Sequence, residues 1–260
     1  MSTPLDAGAL RARLVGPYAK LDVVASTGST NADLRTETVD RSVLIAEEQT
    51  AGQGRRGRGW VSPGGGLYVS VLFKPADVPA WRLPWLTLLA GVALVRTAAS
   101  FGVTAELKWP NDLLVGGAKA AGVLAEITGD HAVVVGIGVN VAPLPPDVEP
   151  GAGGLAPTSL ADHADRPVDR ADVALTLLAE LAGLERRWRE AGGDPERAGV
   201  LDEYRRHCGT LGRPVLVRLA GGELSGTARA VAADGTLEVR DESGADHVIS
   251  AGDVVHLRVR

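Results

Sequence analysis

Short runs of apolar and β-branched residues, broken by glycine, proline and polar clusters, set the rhythm of the first 141 positions. Residues 42–48 (S-V-L-I-A-E-E) and Leu67–Phe73 (L-Y-V-S-V-L-F) read as strands, the second of them buried. A short helix over 6–14 precedes a strand near 20–25. Residues 26–31 (S-T-G-S-T-N) are rich in capping side chains and lead into a short helix ending about residue 36. An apolar stretch over about 85–100 predicts a core helix, followed by an extended segment at 104–109. Residues 112–115 and 119–127 form a hairpin through Gly116-Gly117, and 131–141 (H-A-V-V-V-G-I-G-V-N-V) is a further strand. Glycines inside these last strands, at 122, 136 and 138, mark either close approach by another group or a bulge.

The pattern then changes twice. Residues 142–157 form a proline- and glycine-rich loop without periodicity. Val173, Leu177, Leu181, Leu184 and Trp188 recur at helical spacing over 171–188, with Asp169 as the cap and Gly192-Gly193 as the stop. A second helix is expected over about 195–208. Beyond Arg213 come five short strands, Pro214–Leu219, 223–231, 236–240, 246–250 and 254–259, parted by turns such as Gly221-Gly222 and Asp234-Gly235. Six or so strands interspersed with helices predict an α+β fold on a mixed sheet. The last 50 residues predict a small β-barrel. We expect a division into domains 1–210 and 211–260.

Composition narrows the setting. A net charge of −5 argues against general binding to nucleic acids or anionic membranes. The only cysteine, Cys208, excludes an internal disulfide and fits a reducing, cytoplasmic compartment. The first residues lack the basic flank and apolar run of a signal peptide. The uncharged run 83–95 contains Pro84 and is too short to span a bilayer. Of the 27 basic residues only Lys20, Lys74, Lys108 and Lys119 are lysines, a mild hint that a compact ammonium is needed where one stands.

Two stretches carry chemistry. Residues 51–60, A-G-Q-G-R-R-G-R-G-W, hang from the strand at 42–48 and run on through V-S-P-G-G-G, which cannot be helical. Glycines let backbone N–H groups approach an anion, and Arg55, Arg56 and Arg58 add fixed charge. The segment therefore suits a phosphate or carboxylate. Gly52-x-Gly54-x-x-Gly57 matches the dinucleotide fingerprint literally, but that motif requires a helix to open at once. An RGG-like nucleic-acid segment would stand alone in an acidic chain, and a merely solvated loop is the bland alternative. With four glycines the free loop is costly to fix, so ligand contacts are expected to order it.

The second stretch is Lys108–Asp112, K-W-P-N-D, with Lys119 seven residues further on. Pro110 forces a sharp turn at a strand end, where Asn111 and Asp112 are ordinary turn residues. The hairpin also folds Lys119 back toward Asp112. Two ammonium groups near an arginine loop make sense where two anions must meet.

Taken in order, these motifs resemble the biotin–protein ligases. The resemblance rests on S-T-N at 29–31, Gln49 ahead of G-x-G-R-R-G at 52–57, Trp60, S-P-G-G-G-L-Y at 62–68 and K-W-P-N-D at 108–112. It continues in K-A-A-G-V-L-A-E at 119–126 and G-I-G-V-N at 136–140, and covers nearly the whole chain. It implies a mixed-sheet catalytic domain of the biotin/lipoate ligase type with an SH3-like barrel after it. The implied reaction has two steps. Biotin carboxylate attacks the α-phosphate of ATP, giving biotinyl-5′-AMP and pyrophosphate; a lysine of a biotin carboxyl carrier protein or domain then displaces AMP.

The resemblance also implies roles for single residues. Ser29, Thr30, Asn31, Gln49, Gly52, Gln53, Gly54, Gly122 and Gly136 fall on the biotin side, with Ser29, Thr30 and Gln49 on its ureido ring. Arg58, Trp60, Lys108, Asn111 and Asn140 fall on the ATP side, Trp60 stacking on adenine and Asn140 reading its edge. Arg55 and Lys119 serve both sides as the main catalytic cations, and Asp112 orients the incoming amine. Mg²⁺ is expected on the nucleotide phosphates. Gln53 stands where some members carry arginine. The stretch ahead of S-T-N is too short for the DNA-binding domain of other members, so the enzyme-only class without DNA binding is expected. Lipoate and octanoate ligases or transferases share this sheet and are the alternative. A binding protein without catalysis is disfavoured because the expected polar positions are filled.

Overall fold

The structure, a computed structural model, describes residues 4–14, 16–129, 131–150, 154–219 and 221–257. Its main sheet has seven strands in the order β1(Lys20–Val24), β2(Ser42–Ala46), β3(Leu67–Phe73), β7(Ala132–Val139), β6(Ala118–Thr128), β5(Asp112–Val115) and β4(Glu106–Lys108). Only β1 and β2 run parallel; every other neighbouring pair is antiparallel. Five helices accompany it among the described residues: α1(Ala7–Arg13), α2(Thr30–Leu34), α3(Trp85–Ser100), α4(Arg170–Glu190) and α5(Val200–His207).

Strand side chains alternate between two faces, and this sheet uses the two faces differently. Val43 and Ile45, Leu67 to Phe73 at odd positions, Val133 to Val139 at odd positions, and Ala121 and Val123 all join α3 and α4 in one apolar core. The even positions face the other way. There Leu44, Leu72, Ala132 and Val134 pack with Leu34 of α2 at one end. The rest of that face carries Ser70, Gly136, Gly138 and Gly122, and stays open as a cleft.

The β5–β6 hairpin turns through Gly116 and Gly117, both with positive φ (58° and 81°), as its two-residue loop demands. It is not regular beyond the turn. Leu113 pairs with Ala121 but Leu114 pairs with Lys119, so Ala120 is an extra residue in β6. Without this bulge Lys119 would share the parity of Ala121 and Val123 and point into the helix-covered core. Ala120 takes a place in that core instead, and Lys119 turns to the cleft.

Residues 83–95 are part of a longer apolar stretch than their composition suggests. Ala80–Ser100 is long and apolar enough to cross a membrane, yet 72% of its most apolar window is buried inside this fold. Several other boundaries also shift. The helix expected from 195 begins at Val200, because Asp194 accepts backbone bonds from Glu196 (3.0 Å) and Arg197 (3.1 Å) and holds a turn there. The segment at 104–109 narrows to β4, which ends before Pro110.

The second sheet has five antiparallel strands in the order β11(Asp246–Ile249), β10(Leu237–Arg240), β9(Gly222–Val231), β8(Pro214–Leu219) and β12(Asp253–His256). The expected strand 254–259 thus starts one residue earlier, and its last two residues lie outside those described. Val215, Val217, Ala228, Val231, Leu237, Val239, Ile249 and Val254 belong to the same apolar core as the main sheet. Two buried indoles fasten the junction: Trp85 Nε1 donates to the Ala233 carbonyl (2.8 Å) and Trp109 Nε1 to that of Gly235 (3.0 Å). Thr210, fully buried, adds a polar clasp. Its hydroxyl accepts the Trp109 N–H (3.0 Å) and lies 2.9 Å from His256 Nε2.

Burial, with Lys108 and Arg213 nearby, pushes His256 from 6.5 down to about 4. A neutral ring suits the clasp, since its Nε2 can accept the Thr210 proton. Between those two values the unfolded chain binds more protons than the folded one, so stability falls as pH falls through the window. We expect thermal melting to drop on acidification from pH 6.5, and His256→Asn to flatten that dependence. Superimposable pH profiles for the two proteins would rule the clasp out.

Candidate functional site

The open face of the sheet forms the floor of a cavity of about 610 Å³, walled by α2, the 51–60 loop, the K-W-P-N-D turn and the edge of the second sheet. Except for Gly52, every residue expected at a site lines it. Gly52 is packed behind the loop. A Cβ there would come within 2.5 Å of the Trp60 carbonyl oxygen and 3.2 Å of Gln49 Nε2, so its smallness closes the loop base and presents nothing to a ligand.

At the α2 end the wall is a polar network. Ser29 occupies the N-cap position but makes no capping bond through its side chain, although it is only 4% exposed. Gln49 Oε1 accepts the Thr30 N–H (3.0 Å) and lies 3.1 Å from the Thr30 hydroxyl. Ser70 lies 2.7 Å from that hydroxyl and donates to Asn31 Oδ1 (2.7 Å). Asn31 Nδ2 donates to Glu126 (2.8 Å) and to the Leu124 carbonyl (3.2 Å). These two acceptors fix the amide so that its oxygen, not its nitrogen, meets Ser70. Gly136 makes the arrangement possible, because a Cβ on it would overlap the Asn31 amide. Ser70 carries no motif signal, and Glu126, though it closes the K-A-A-G-V-L-A-E motif at 119–126, was given no role in the sequence reading.

The floor beside this network is a bed for one ring. A Cβ on Gly138 would stand 2.5 Å from the Trp60 indole, and one on Gly122 3.1 Å from it. Both glycines are therefore sites of close approach, not bulges; the hairpin's bulge lies at Ala120. Lys119 Nζ stands 5.3 Å from the centre of the same indole, within cation–π reach.

At the opposite end lie the charges. Asp112 contacts Lys119 Nζ at 2.6 Å through one oxygen and Lys108 Nζ at 3.4 Å through the other. Lys108 and Asp112 are 6% and 5% exposed. Burial lowers the Lys108 ammonium from its usual range, and Asp112 opposes that shift. Arg55 adds a third cation, its Nη1 donating to Asn111 Oδ1 (3.2 Å) while Asn111 Nδ2 donates to the Val123 carbonyl (3.0 Å). Burial lowers Arg55 as well, with Asp253 and Asp112 acting against it. Two ammoniums and a guanidinium around one carboxylate leave an excess of positive charge in a sheltered cleft. That is a seat for an anion.

Two expected roles are narrowed. Both amide hydrogens of Asn140 go to backbone carbonyls, of Thr158 (2.9 Å) and Lys119 (3.3 Å), so only its oxygen remains to meet a ligand donor. Arg58 is held by Asp253 of β12 through both guanidinium ends (2.7 and 3.1 Å), a residue that no motif pointed to. Within the loop a bridge joins Gln53 to Gly59, and the chain reverses through Arg56 and Gly57, both with positive φ (58° and 70°).

A mixed sheet with a glycine floor, a cation cluster and a small sheet closing one side defines the class. The model of the Biotin/lipoate A/B protein ligase family matches residues 21–140, and that of the Biotin protein ligase C terminal domain matches 210–257. The biotin--[acetyl-CoA-carboxylase] ligase of Mycobacterium tuberculosis (strain ATCC 25618 / H37Rv) is 42% identical, over 98% of this chain and 97% of its own length. That of Paracoccus denitrificans is 33% identical over 89% and 98%. The structure of biotin protein ligase from Aquifex aeolicus in complex with biotin and ATP has a TM-score of 0.77 at 27% identity, covering 93% of this chain and all of that one. The chain belongs to the biotin–protein ligase family.

The glycine floor yields a test of stability. Gly136→Ala has to displace the Asn31 amide and its bonds, and overpacking of this kind costs roughly 1–3 kcal/mol. Gly129→Ala, with nothing within 4 Å of its added methyl, should stay within roughly 0.5 kcal/mol of the parent. Urea midpoints read both. Equal midpoints would mean that the Asn31 network relaxes freely.

Proposed function

We propose that this chain is an ATP-dependent ligase that activates biotin as biotinyl-5′-AMP and passes it to a lysine of a biotin carboxyl carrier protein or domain. The supporting observation is the cluster of Lys108, Lys119 and Arg55 around Asp112, standing across the cleft from a wall of hydrogen-bonding groups. Attack of a carboxylate on a polyphosphate brings negative charge against negative charge, and only oriented cations and donors lower that barrier.

In this reading biotin's ureido ring meets Ser29, Thr30 and Gln49, whose buried polar atoms favour a ligand that matches them. Trp60 stacks on adenine, and the Asn140 oxygen accepts from the exocyclic amine. Lys119 and Arg55 hold the carboxylate against the α-phosphate, then stabilise AMP as it leaves. Asp112 keeps the two lysines in place and orients the incoming carrier amine. Among the described residues no group of three or more His, Cys, Asp or Glu side chains is set to hold a metal ion. Mg²⁺ enters this reading with ATP, on its phosphates. We place the reaction in the cytoplasm and assign residues 1–210 to the catalytic domain and 211–260 to the barrel.

Pyrophosphate release measured separately with biotin, lipoate and octanoate decides the substrate. Release with lipoate or octanoate but not biotin would overturn the proposal. Loss of one charge-stabilising donor typically slows such a step by about 10²–10³. Lys119→Ala should cut biotin-dependent release by that order, and Lys119→Arg should not restore it fully, because a planar guanidinium cannot place a point charge there. Near-normal rates in folded Lys119→Ala would remove this residue from the chemistry. Stacking on a base is worth about 1–3 kcal/mol, so Trp60→Ala should raise the ATP KM roughly five- to a hundred-fold where KM tracks affinity. An unchanged ATP dependence would return Trp60 to a packing role.

A further inference from the structure

We infer that Ser70 and Glu126 are positioning residues that set the polarity of the α2 wall. They make the Thr30 hydroxyl an acceptor toward the cavity, so that the wall selects a ligand ring by its N–H donors. The bearing of this polarity on substrate choice rests on the reading of biotin as the substrate.

The groups are laid out across the sheet. Ser70 of β3 pairs in register with Gly136 of β7, and Gly136 pairs with Leu124 of β6. Glu126 stands two residues beyond Leu124 and so on the same face. Asn31 lies over Gly136, where a Cβ would overlap its amide, and spans the gap between Ser70 and β6. Thr30, beside it on α2, lines the cavity.

The direction of each hydrogen bond follows from counting protons. A carboxylate and a backbone carbonyl only accept, so Glu126 (2.8 Å) and the Leu124 carbonyl (3.2 Å) take the two hydrogens of Asn31 Nδ2. Asn31 Oδ1 then faces Ser70 and accepts its one proton (2.7 Å). Ser70 keeps none for the Thr30 hydroxyl, also 2.7 Å away, so that contact is a hydrogen bond only if Thr30 donates. The other oxygen near the Thr30 hydroxyl is Gln49 Oε1 (3.1 Å), which is oriented by the Thr30 N–H it accepts (3.0 Å). Whichever oxygen receives it, the Thr30 proton stays within the protein. What Thr30 offers a ligand is a lone pair.

Packing alone gives no reason for this arrangement. Ser70 is wholly buried at the middle of its strand, between Val69 and Val71. An apolar residue fills such a place without partners, and a buried polar network that is incomplete costs more than none. Glu126 gives the series its fixed end, because an ionised carboxylate cannot reverse its role. A cyclic urea brings two N–H groups to the wall. A dithiolane or an alkyl chain brings none and leaves the Thr30 lone pair without a partner.

Calorimetric binding of two kinds of probe tests the assignment without turnover. One is biotin; the others are the two cyclic carbamates in which either ureido N–H is replaced by a ring oxygen. The replacement keeps the ring size and turns a donor into an acceptor. The carbamate whose oxygen meets Thr30 should bind the parent about a hundredfold more weakly than biotin. In Ser70→Ala the Thr30 proton has one acceptor fewer and can turn to the cavity, so this preference should fall about tenfold. A ratio of two ligands on one protein is unmoved by a general loss of stability. Glu126→Ala should lower the ratio several-fold, and Glu126→Gln should retain it, because the amide oxygen still accepts from Asn31. An unchanged ratio in Ser70→Ala, whatever the absolute Kd for biotin, would overturn the inference. An unchanged ratio in Glu126→Ala would overturn the part given to Glu126 and end the series at Asn31. A parent that binds neither kind of probe would overturn the reading of biotin as substrate, and with it the selection by N–H donors.

Discussion

One carboxylate held between two ammonium groups governs the layout of this molecule. Lys108 is buried nearly completely, and an unpaired ammonium so placed would lose its charge or destabilise the fold. Asp112 prevents that, but it is a single charge shared by Lys108 and Lys119. The cluster thus stays positive in a region where water screens it poorly, and Arg55 adds to it. An arrangement aimed at stability alone would have balanced the charges. The fold uses a bulge and a strand-ending turn to bring these groups together.

The bulge at Ala120 shows how local geometry decides the chemistry. A hairpin with a two-residue turn and no bulge would carry Lys119 on the core face, four positions from Val123 and on the same side. The chain accommodates both needs by giving the core an alanine and the cleft a lysine. The glycines opposite serve the same face. They lower the floor of the sheet under Trp60 and Asn31, so the cavity has depth where a strand surface would ordinarily be filled by side chains.

How much of this was legible in the sequence depends on the range of each signal. Strand and helix identities came from local periodicity, and the Gly116-Gly117 turn from its own φ requirement. The approach of Lys119 to Asp112 was readable because a hairpin is a local device; the face on which Lys119 emerges was not, since the bulge leaves no residue signature beyond a run of small side chains. Glycine at 122, 136 and 138 made close approach possible with a bulge as the default, and only the positions of Trp60 and Asn31 separate them. Asp253 was invisible for a different reason. Its partner Arg58 is 195 positions away, and neither periodicity nor spacing reports a single charge pair across that distance.

The three loop arginines, alike in the sequence, are unlike in space. A flexible segment carrying three guanidiniums would place each in many positions, and ordering it would consume much of the energy of any ligand contact. Here Arg56 and Arg58 share one carboxylate, Asp253, so the group keeps a net positive charge, and Arg58 still lines the cavity. Arg55, half-buried, donates to Asn111 inside the cavity. Preorganised charge is worth more than charge that must be recruited, because nothing then has to be reoriented as the reaction proceeds. The small sheet after residue 213 bears on the cleft directly, since Arg218, Asp253, Val254 and Val255 line it. Through Asp253 it also joins the glycine-rich loop to the wall of the site.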